Sequence, residues 1–229
     1  MLFENEVIDD LQCDGLKIIR NTKGYAFTSD SVLLANFAKA RMTDCVLDLG
    51  TGSGIIPILM SKKTKANHFV GIDIQADICD LARRSIELNN LSDRITIINN
   101  DMTKLTEKDI GKFDVVVSNP PYYTVNQKNK NINERAISRS EIMINLKELI
   151  ATAHRLINYG GLLYMVLKAD RLVDCLTNLR EKKIEPKLLI PVQPTPNKPV
   201  DVLLIKAKYG GRAGLIIEKP IIAQGYFSS

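Results

Sequence analysis

The sequence contains no tryptophan, only two histidines, and four cysteines that form no C-x-x-C pair. Such scattered cysteines argue against a zinc site or a disulfide framework. We therefore expect no bound metal, and reduced thiols that act as small core residues of a cytoplasmic protein. The cysteines are Cys13, Cys45, Cys79 and Cys175. The histidines, His68 and His154, have no carboxylate pattern beside them, and we interpret both as structural.

Long apolar runs are also missing, so no segment is predicted to cross a bilayer. The first ten residues, MLFENEVIDD, are acidic and lack the charged-then-apolar order of a secretion signal. With 229 residues and 45% apolar content, the chain is long enough for one good core. We expect a single domain over 1–229, with an N-terminal cap segment and helix (1–44), a core (45–208) and a C-terminal extension (209–229).

Charge is distributed unevenly along the chain. Residues 1–120 carry 14 Lys and Arg against 17 Asp and Glu, a net of −3, whereas residues 121–229 carry 17 against 9, a net of +8. This asymmetry suggests a polyanionic partner, with nucleic acid as the natural candidate. A merely solvated basic surface would give the same counts, and charge alone does not separate the two.

From Cys45 onward, short β-branched runs alternate with segments of helical period, which is the pattern of a parallel α/β sheet. The predicted strands are Val46–Leu49, Phe69–Asp73, Ile95–Ile98, Val115–Ser118, Leu162–Leu167, Lys187–Ile190 and Val202–Ala207. Apolar residues at helical spacing predict helices around 78–86 and 146–157, and a further helix around 33–38 before the first core strand. Ser29 or Asp30 is the expected N-cap of that first helix.

Two polar segments interrupt this alternation. Residues 123–139 are rich in Asn and Lys, and PVQPTPNKP (191–199) has four prolines and is predicted to be an extended connection. Long polar loops on a rigid α/β scaffold often contact substrate, although ordinary surface loops can be equally long.

A glycine-rich turn follows the first core strand in VLDLGTGSG (46–54). Gly50, Gly52 and Gly54 allow a tight turn and a close approach of the backbone to a ligand. The spacing is G-x-G-x-G, which is neither the dinucleotide pattern nor the phosphate-binding loop. A glycine-rich turn can also be purely structural, so further residues are needed to indicate a ligand.

Three carboxylates are such residues, because one stands near the end of each of three successive strands. Asp73 ends the second strand, 23 residues after Gly50, where it could accept hydrogen bonds from both ribose hydroxyls. Asp101 follows the third strand and could accept from an adenine amine, with Met102 beside the ring. Asp48 could orient the turn or meet a cationic group. Each of Asp73 and Asp101 alone could be a helix cap, but together the three suit S-adenosylmethionine, which has adenosine, a sulfonium and no phosphate.

The stretch SNPPYY (118–123) begins where the fourth strand ends, on the side of the sheet where ligands bind. The Asn119 side chain and the Pro120 carbonyl offer two acceptors for the hydrogens of an exocyclic amine, and Pro120 and Pro121 hold the backbone rigid. Tyr122 offers a face on which a flipped base can stack. This set favours transfer to an amine by positioning and oriented dipoles, with no strong general base required.

Asn-Pro-Pro-Tyr, with DLGTGSG and GID upstream, resembles class I S-adenosylmethionine-dependent amino-methyltransferases. FTSDSVLLA (27–35), EPKLLI and GLIIEKPIIAQGY are similar to the bacterial tRNA1(Val) adenine-N6 methyltransferase group, whose members methylate the adenosine immediately 3′ of the anticodon. The resemblance implies a Rossmann-like sheet of seven mostly parallel strands, helices on both faces and an antiparallel last strand. It also implies that a helix before the core covers the cofactor. The implied cofactor contacts are Asn119, Thr51 and Ser53 of the glycine-rich turn, Ile74 after Asp73, and Phe27, Ser29 and Asp30 of that helix segment.

The substrate is less firmly indicated, because NPPY also occurs in methyltransferases of DNA adenine, rRNA guanine N2 and release-factor glutamine. The chain has little room for the extra domains expected of the DNA and release-factor enzymes, and its basic second half suits an RNA with an unstacked loop base. We therefore predict tRNA adenine-N6 methylation, with rRNA guanine N2 or protein glutamine as alternatives, and a non-catalytic binding module as the rival of another class. The possible RNA contacts, which could also be solvated charges, are Lys128, Lys130, Arg135 and Arg139.

Overall fold

The computed structural model describes residues 2–24, 28–120 and 146–224. Its strands are β1 (Glu6–Asp10), β2 (Lys17–Asn21), β3 (Cys45–Leu49), β4 (His68–Asp73), β5 (Ile95–Asn99), β6 (Phe113–Ser118), β7 (Ile157–Lys168), β8 (Ile184–Gln193), β9 (Val202–Tyr209), β10 (Ile216–Ile217) and β11 (Ile221–Ile222). Its helices are α1 (Ser29–Phe37), α2 (Ile55–Lys63), α3 (Ala76–Leu88), α4 (Glu107–Ile110), α5 (Leu146–Leu156) and α6 (Leu172–Glu181), with a 3₁₀ turn over Ala169–Arg171.

The main sheet has the order β10-β8-β9-β7-β6-β3-β4-β5, and β11 also pairs with β8. Strands β3 to β7 pair in parallel, whereas β9 is antiparallel to both β7 and β8. All seven predicted strands are present as β3 to β9, and the last of them is the antiparallel one. The predicted Rossmann-like fold is therefore confirmed. Two-residue strands β10 and β11, from the C-terminal extension, enlarge the sheet beyond that prediction.

The core lies on both faces of the sheet. Strand β3 shows the arrangement, because Val46 belongs to the apolar cluster under α1, α2 and α3, while Leu47 belongs to the cluster under α5 and α6. Neighbouring residues of a strand point to opposite faces, so a strand covered on both sides must be apolar throughout. This requirement explains why the central strands appear in the sequence as unbroken apolar runs.

Strand β8 extends into the segment that was predicted to be a connection, because residues 191–193 still pair with β9 and β11. It holds two prolines, Pro186 and Pro191, which cannot donate a backbone hydrogen bond. The register between β8 and β9 shifts beside Pro186, and the outer edge of β8 is paired only at 188–189 and 192–193. Both prolines therefore lie where the outer neighbour of β8 forms no ladder.

An N-terminal antiparallel hairpin, β1–β2, packs against α3 and was not predicted. Arg84 forms a bidentate ion pair with Glu6, at 2.7 and 2.6 Å. The Ile19 N–H donates to the Ser85 hydroxyl at 3.0 Å, and Asn89 exchanges two hydrogen bonds with the backbone of Lys17. The hairpin is thus fastened to the C-terminal half of α3 by polar contacts that span more than 60 residues of sequence.

Two predicted boundaries are wrong in detail. The N-cap of α1 is Thr28, with extended backbone, and not Ser29 or Asp30, which are the first residues of the helix. Helix α5 ends at Leu156, so Ile157 begins β7 and is not helical. In both places the apolar spacing is correct, and the backbone changes direction one residue away from the expected point.

Candidate active site

Four loops meet at one edge of the sheet, because β6, β3, β4 and β5 are adjacent parallel strands and their carboxyl ends point the same way. The glycine-rich turn follows β3, Asp73 ends β4, Asp101 follows β5 and Asn119 follows β6. The structure therefore brings together the described members of the predicted cofactor and catalytic sets along this edge.

The glycine-rich turn uses left-handed backbone at all three glycines, with φ of 77° at Gly50, 55° at Gly52 and 79° at Gly54. Residues with a Cβ rarely adopt this conformation, which explains the spacing of the three glycines. The N–H groups of Gly50 and Thr51 both donate to the Ile72 carbonyl at 2.9 Å. These bonds fasten the turn to the end of the neighbouring strand.

Gly71 is a site residue that the sequence did not reveal. A Cβ at this position would lie 2.7 Å from Thr51 Oγ1 and 2.8 Å from Ile97 Cδ1. The side chain of Thr51 therefore rests directly on the backbone of β4. The only sequence signal for Gly71 is that a glycine lies inside an otherwise β-branched strand. Such a glycine indicates that a side chain or another backbone segment approaches closely.

Asp73 ties the glycine-rich turn to the loop after β4. Its two carboxylate oxygens accept from the Gly52 N–H and from the Gln75 N–H, each at 3.0 Å. Burial raises the pKa of this carboxyl, and the backbone donors oppose that shift. Ile74, which follows it, is 41% exposed and lies at the same strand end.

Asp48 is 1% exposed, and neither of its oxygens has a hydrogen-bond partner within the part of the chain that the structure describes. Burial raises its pKa to about 7; the nearby Thr51 side chain opposes this shift without a hydrogen bond of ordinary geometry, and the charge of Asp73 adds to it. Thr51 Oγ1 and Ser53 Oγ are likewise buried without partners among those residues. Buried polar atoms normally have partners, so this cluster indicates a place prepared for a polar ligand.

Asp101 forms its contacts within its own turn. It accepts from the backbone N–H and the hydroxyl of Thr103, at 3.0 and 2.7 Å, and pairs with Lys104 at 3.5 Å. The hydroxyl hydrogen bond is the main cause of a lowered pKa for this carboxyl. Met102 is buried, and its Cε would lie 3.8 Å from a Cβ at Gly50, so this side chain does border the glycine-rich turn.

Arg155 on α5 holds the loop that carries Asp101 and Met102. Its guanidinium donates to the carbonyls of Leu105, Thr103 and Met102 at 2.7, 3.0 and 3.2 Å. Sequence patterning did not single out this arginine, because a basic residue in the last turn of a helix is common at any surface.

Asn119 is held by helix α1. Its Nδ2 donates to the Ser31 hydroxyl at 2.8 Å and approaches the Thr28 hydroxyl at 3.4 Å. Before it, the buried Ser118 hydroxyl donates to the Leu49 carbonyl at 2.8 Å, which joins the ends of β6 and β3. Neither Ser31 nor Ser118 was predicted as a site residue. Both lie within quoted motifs, but their partners are 88 and 69 residues away in sequence.

A cavity of about 230 Å³ opens beside the glycine-rich turn. Its lining combines three parts of the chain, which are Ser53 of the turn, charged and apolar residues of α3, and the N-terminal segment with Phe3, Glu6 and Asn21. The hairpin therefore helps to enclose the space next to the predicted cofactor site.

Several predicted site residues lie outside the described part of the chain: Phe27, Pro121, Tyr122, Lys128, Lys130, Arg135 and Arg139. Ser29 and Asp30 are described and begin α1, two residues or fewer before Ser31. Across the three described ranges, no group of three or more His, Cys, Asp or Glu is arranged to hold a metal ion. The helices in those ranges are all too short or too polar to span a membrane.

Comparison with known proteins agrees with this architecture. Residues 27–182 match the model of the methyltransferase small domain. A tRNA1(Val) (adenine(37)-N6)-methyltransferase from Parabacteroides distasonis is 28% identical over 178 residues, which cover 78% of this chain and 74% of that protein. A relative of the same name from Phocaeicola vulgatus is 32% identical over 142 residues, covering 62% of this chain and 59% of its own length.

Among solved structures, a predicted O-methyltransferase from Agrobacterium tumefaciens superimposes with a TM-score of 0.67 at 23% identity, covering 84% of this chain and 86% of the other. At that identity the likeness shows the fold alone. The family model, in contrast, matches well over half of the sequence and covers the glycine-rich turn, the three carboxylates and Asn119. The predicted resemblance to class I methyltransferases is confirmed, and the chain belongs to the methyltransferase small domain family.

Proposed function

We propose that this protein transfers a methyl group from S-adenosylmethionine to the exocyclic N6 amine of an adenosine in tRNA, and specifically of the adenosine 3′ of the anticodon in tRNA1(Val). The names of the relatives support the substrate, since eight of them, from several bacterial genera, are all called tRNA1(Val) (adenine(37)-N6)-methyltransferases. The observation that carries the proposal is Asn119 at the end of β6, oriented by Ser31 and next to the glycine-rich turn.

The residues at the strand ends fit S-adenosylmethionine. This cofactor supplies an electrophilic methyl group on a sulfonium when it is bound. The oxygens of Asp48, Thr51 and Ser53 that have no partner among the described residues suit its amine and positive centre. We assign Asp73 to the ribose hydroxyls, and Asp101, Met102 and Ile74 to the adenine. The left-handed glycines bring backbone N–H groups close to the ligand without a Cβ in the way.

The amide of Asn119 gives the site its chemistry toward an amine. With Nδ2 directed to Ser31, Oδ1 is the atom that we expect to accept a hydrogen from N6. The Pro120 carbonyl is the second acceptor. Two acceptors that hold the amine hydrogens would favour a pyramidal nitrogen with an available lone pair. With S-adenosylmethionine bound, the N6–methyl bond would form as the sulfonium–methyl bond breaks, and the acidified N6 proton would leave to water.

Methylation of defined transcripts tests this proposal. Wild-type protein with labelled S-adenosylmethionine should label a tRNA1(Val) transcript, and label should be lost when the adenosine 3′ of the anticodon is replaced by guanosine. A second tRNA that has guanosine at that position serves as the unmethylated control. Equal labelling of the substituted transcript would show that the position is wrong, and labelling only of ribosomal RNA or of protein would show that the substrate class is wrong.

A further inference from the structure

An exposed aromatic cluster lies at the edge of the sheet opposite the candidate active site. Tyr159, near the start of β7, is 79% exposed. Its ring meets that of Tyr209, at the end of β9, edge to face with centroids 5.4 Å apart. His154 meets the Tyr209 ring in the same manner at 4.8 Å. The proposed methyl transfer uses none of these three residues.

The exposed ring of Tyr159 lies against two neighbours. One is the Tyr209 ring, and the other is the backbone of Gly210, which has a φ of +67° and carries no Cβ beneath the ring. A tyrosine side chain has few rotatable bonds, so it loses little conformational freedom when a partner binds.

Two lysines lie in the loop next to Gly210. Lys182 and Lys183 connect α6 to β8, and the Gly210 N–H donates to the Lys183 carbonyl at 2.9 Å. In the described ranges, neither lysine forms an ion pair. Burial lowers the pKa of His154, and the charges of these lysines and of Lys112 lower it further, so the cations lie near the His154 ring of this cluster.

We infer that Tyr159, Lys182 and Lys183 form a second RNA-binding surface, which we call the lower surface, and which contacts the same tRNA away from its methylated nucleotide. This inference rests on the proposed function. An exposed ring stacks on an unpaired base or ribose, and lysines without acidic partners neutralise phosphates. An RNA has both groups and the complementary charge.

The distance between the two surfaces makes a prediction about RNA length. Strand β7 runs from the lower surface to the active-site edge. Phe113 and Val115 of β6 pair with Ile157 and Leu162, so the ladder is irregular around Tyr159 and regular from Leu162 to Lys168. At about 3.3 Å per residue those six steps span ~20 Å, and Tyr159 lies beyond them. We expect the lower surface to contact a part of the tRNA that the isolated anticodon stem-loop lacks.

Binding and kinetics with two RNAs test the lower surface. The RNAs are full-length tRNA1(Val) and its isolated anticodon stem-loop, and the variants are Tyr159→Ala, Tyr159→Phe and Lys182→Gln/Lys183→Gln. The control is Lys62→Gln/Lys63→Gln, which removes equal charge from two exposed residues at the end of α2, the helix that connects β3 to β4. Thermal unfolding confirms that each variant is folded.

Tyr159→Ala should raise KM for full-length tRNA about 10-fold, leave kcat unchanged, and leave the stem-loop unaffected, while Tyr159→Phe behaves as wild type. The double lysine variant should lower the slope of log affinity against log salt by about 1.4 to 1.8, and its control should not. Unchanged KM in both variants, an equal loss for both RNAs, or a change of oligomeric state would each overturn the lower surface. A wild type that methylates no tRNA would instead overturn the proposed function.

Discussion

At the residue scale, the contact between Asn119 and Ser31 holds the amide that we propose faces the substrate. The 2.8 Å bond from Nδ2 to a buried hydroxyl fixes the position of the side chain, with Nδ2 directed to helix α1. Helix α1 thereby contributes to the proposed chemistry through Ser31, although the two proposed acceptors for the amine belong to Asn119 and Pro120. Ser31 stood out in the sequence only as part of FTSDSVLLA (27–35), and it supports Asn119.

Removing that hydroxyl should lower turnover through Asn119 alone. We expect Ser31→Ala to reduce kcat about 3- to 10-fold, which is the loss of one hydrogen bond, with little change in cofactor affinity. Combined with Asn119→Ala, it should cause no further loss, because the group that it positions is already gone. Steady-state kinetics of the two single variants and the double variant check this. A multiplicative loss in the double variant would show that Ser31 acts independently.

Asp48 predicts a pH dependence of stability in the protein without cofactor. Its pKa is 3.8 in the unfolded chain and about 7 in the folded one. Between these values the folded state keeps a proton that the unfolded state has released, so this group makes the free energy of unfolding fall as the pH rises. This lowering of the free energy of unfolding is absent well below pH 3.8 and complete well above about pH 7.

Asp48→Asn keeps the shape and removes the titration. Relative to wild type, it should be increasingly stabilising from about pH 4 to about pH 8, by up to ~4 kcal/mol at the upper end. Melting temperature against pH for the two proteins without cofactor measures this. The same variant should bind S-adenosylmethionine more weakly if, as we propose, the Asp48 carboxylate meets a cationic group of the cofactor. A constant offset in melting temperature would contradict the buried, unpartnered carboxyl.

At the element scale, the core strands could be predicted from the sequence because their pattern is periodic. The β1–β2 hairpin could not, because residues distant in sequence hold it in place. The seven core strands follow from apolar runs that two covered faces require. The β1–β2 hairpin depends instead on Arg84 and Asn89 of α3, and its own short strands carry Asp and Arg, which gives little strand signal. Its docking could not be read from its own residues.

The candidate site divides in the same way. Asp48, Asp73 and the glycines were predictable because they occupy defined positions at strand ends, and their backbone form agrees with that interpretation. Gly71 and Ser31 were not, because their importance comes from a side chain that packs on them from another element. Arg155 belongs with these, since its acceptors are backbone carbonyls, which carry no sequence signature.

The hairpin supplies a prediction about local stability. The Glu6 side chain is 5% exposed, so its pairing with Arg84 is largely shielded from water. We expect Glu6→Gln to increase amide hydrogen exchange of β1 and β2, with no change in β3, β4 or β6. The matched control is Asp80→Asn, which removes the exposed partner of the same arginine. Equal exchange in the two variants would contradict the dominance of the Glu6 pair.

At the scale of the whole molecule, the candidate active site and the lower surface lie at opposite ends of the strands of the main sheet. Its carboxyl edge gathers Asn119 and the buried oxygens that have no partner among the described residues, whereas its amino edge presents Tyr159 near the loop of Lys182 and Lys183. The net charge of +8 in residues 121–229 agrees with a polyanionic partner. If both proposals hold, this small methyltransferase domain binds one large RNA at more than one place.

The central claim is that this site methylates the N6 amine of adenosine in tRNA through Asn119. The most direct measurement is mass spectrometry of nucleosides from unmodified bulk tRNA after incubation with S-adenosylmethionine and either wild-type protein or Asn119→Ala. Asn178→Ala, an amide change on the exposed side of α6, is the control. We predict new N6-methyladenosine with wild type and control, and at least a 100-fold loss with Asn119→Ala, whose cofactor affinity by calorimetry is retained. No new N6-methyladenosine with wild type, despite bound cofactor, or undiminished methylation by Asn119→Ala would contradict the claim.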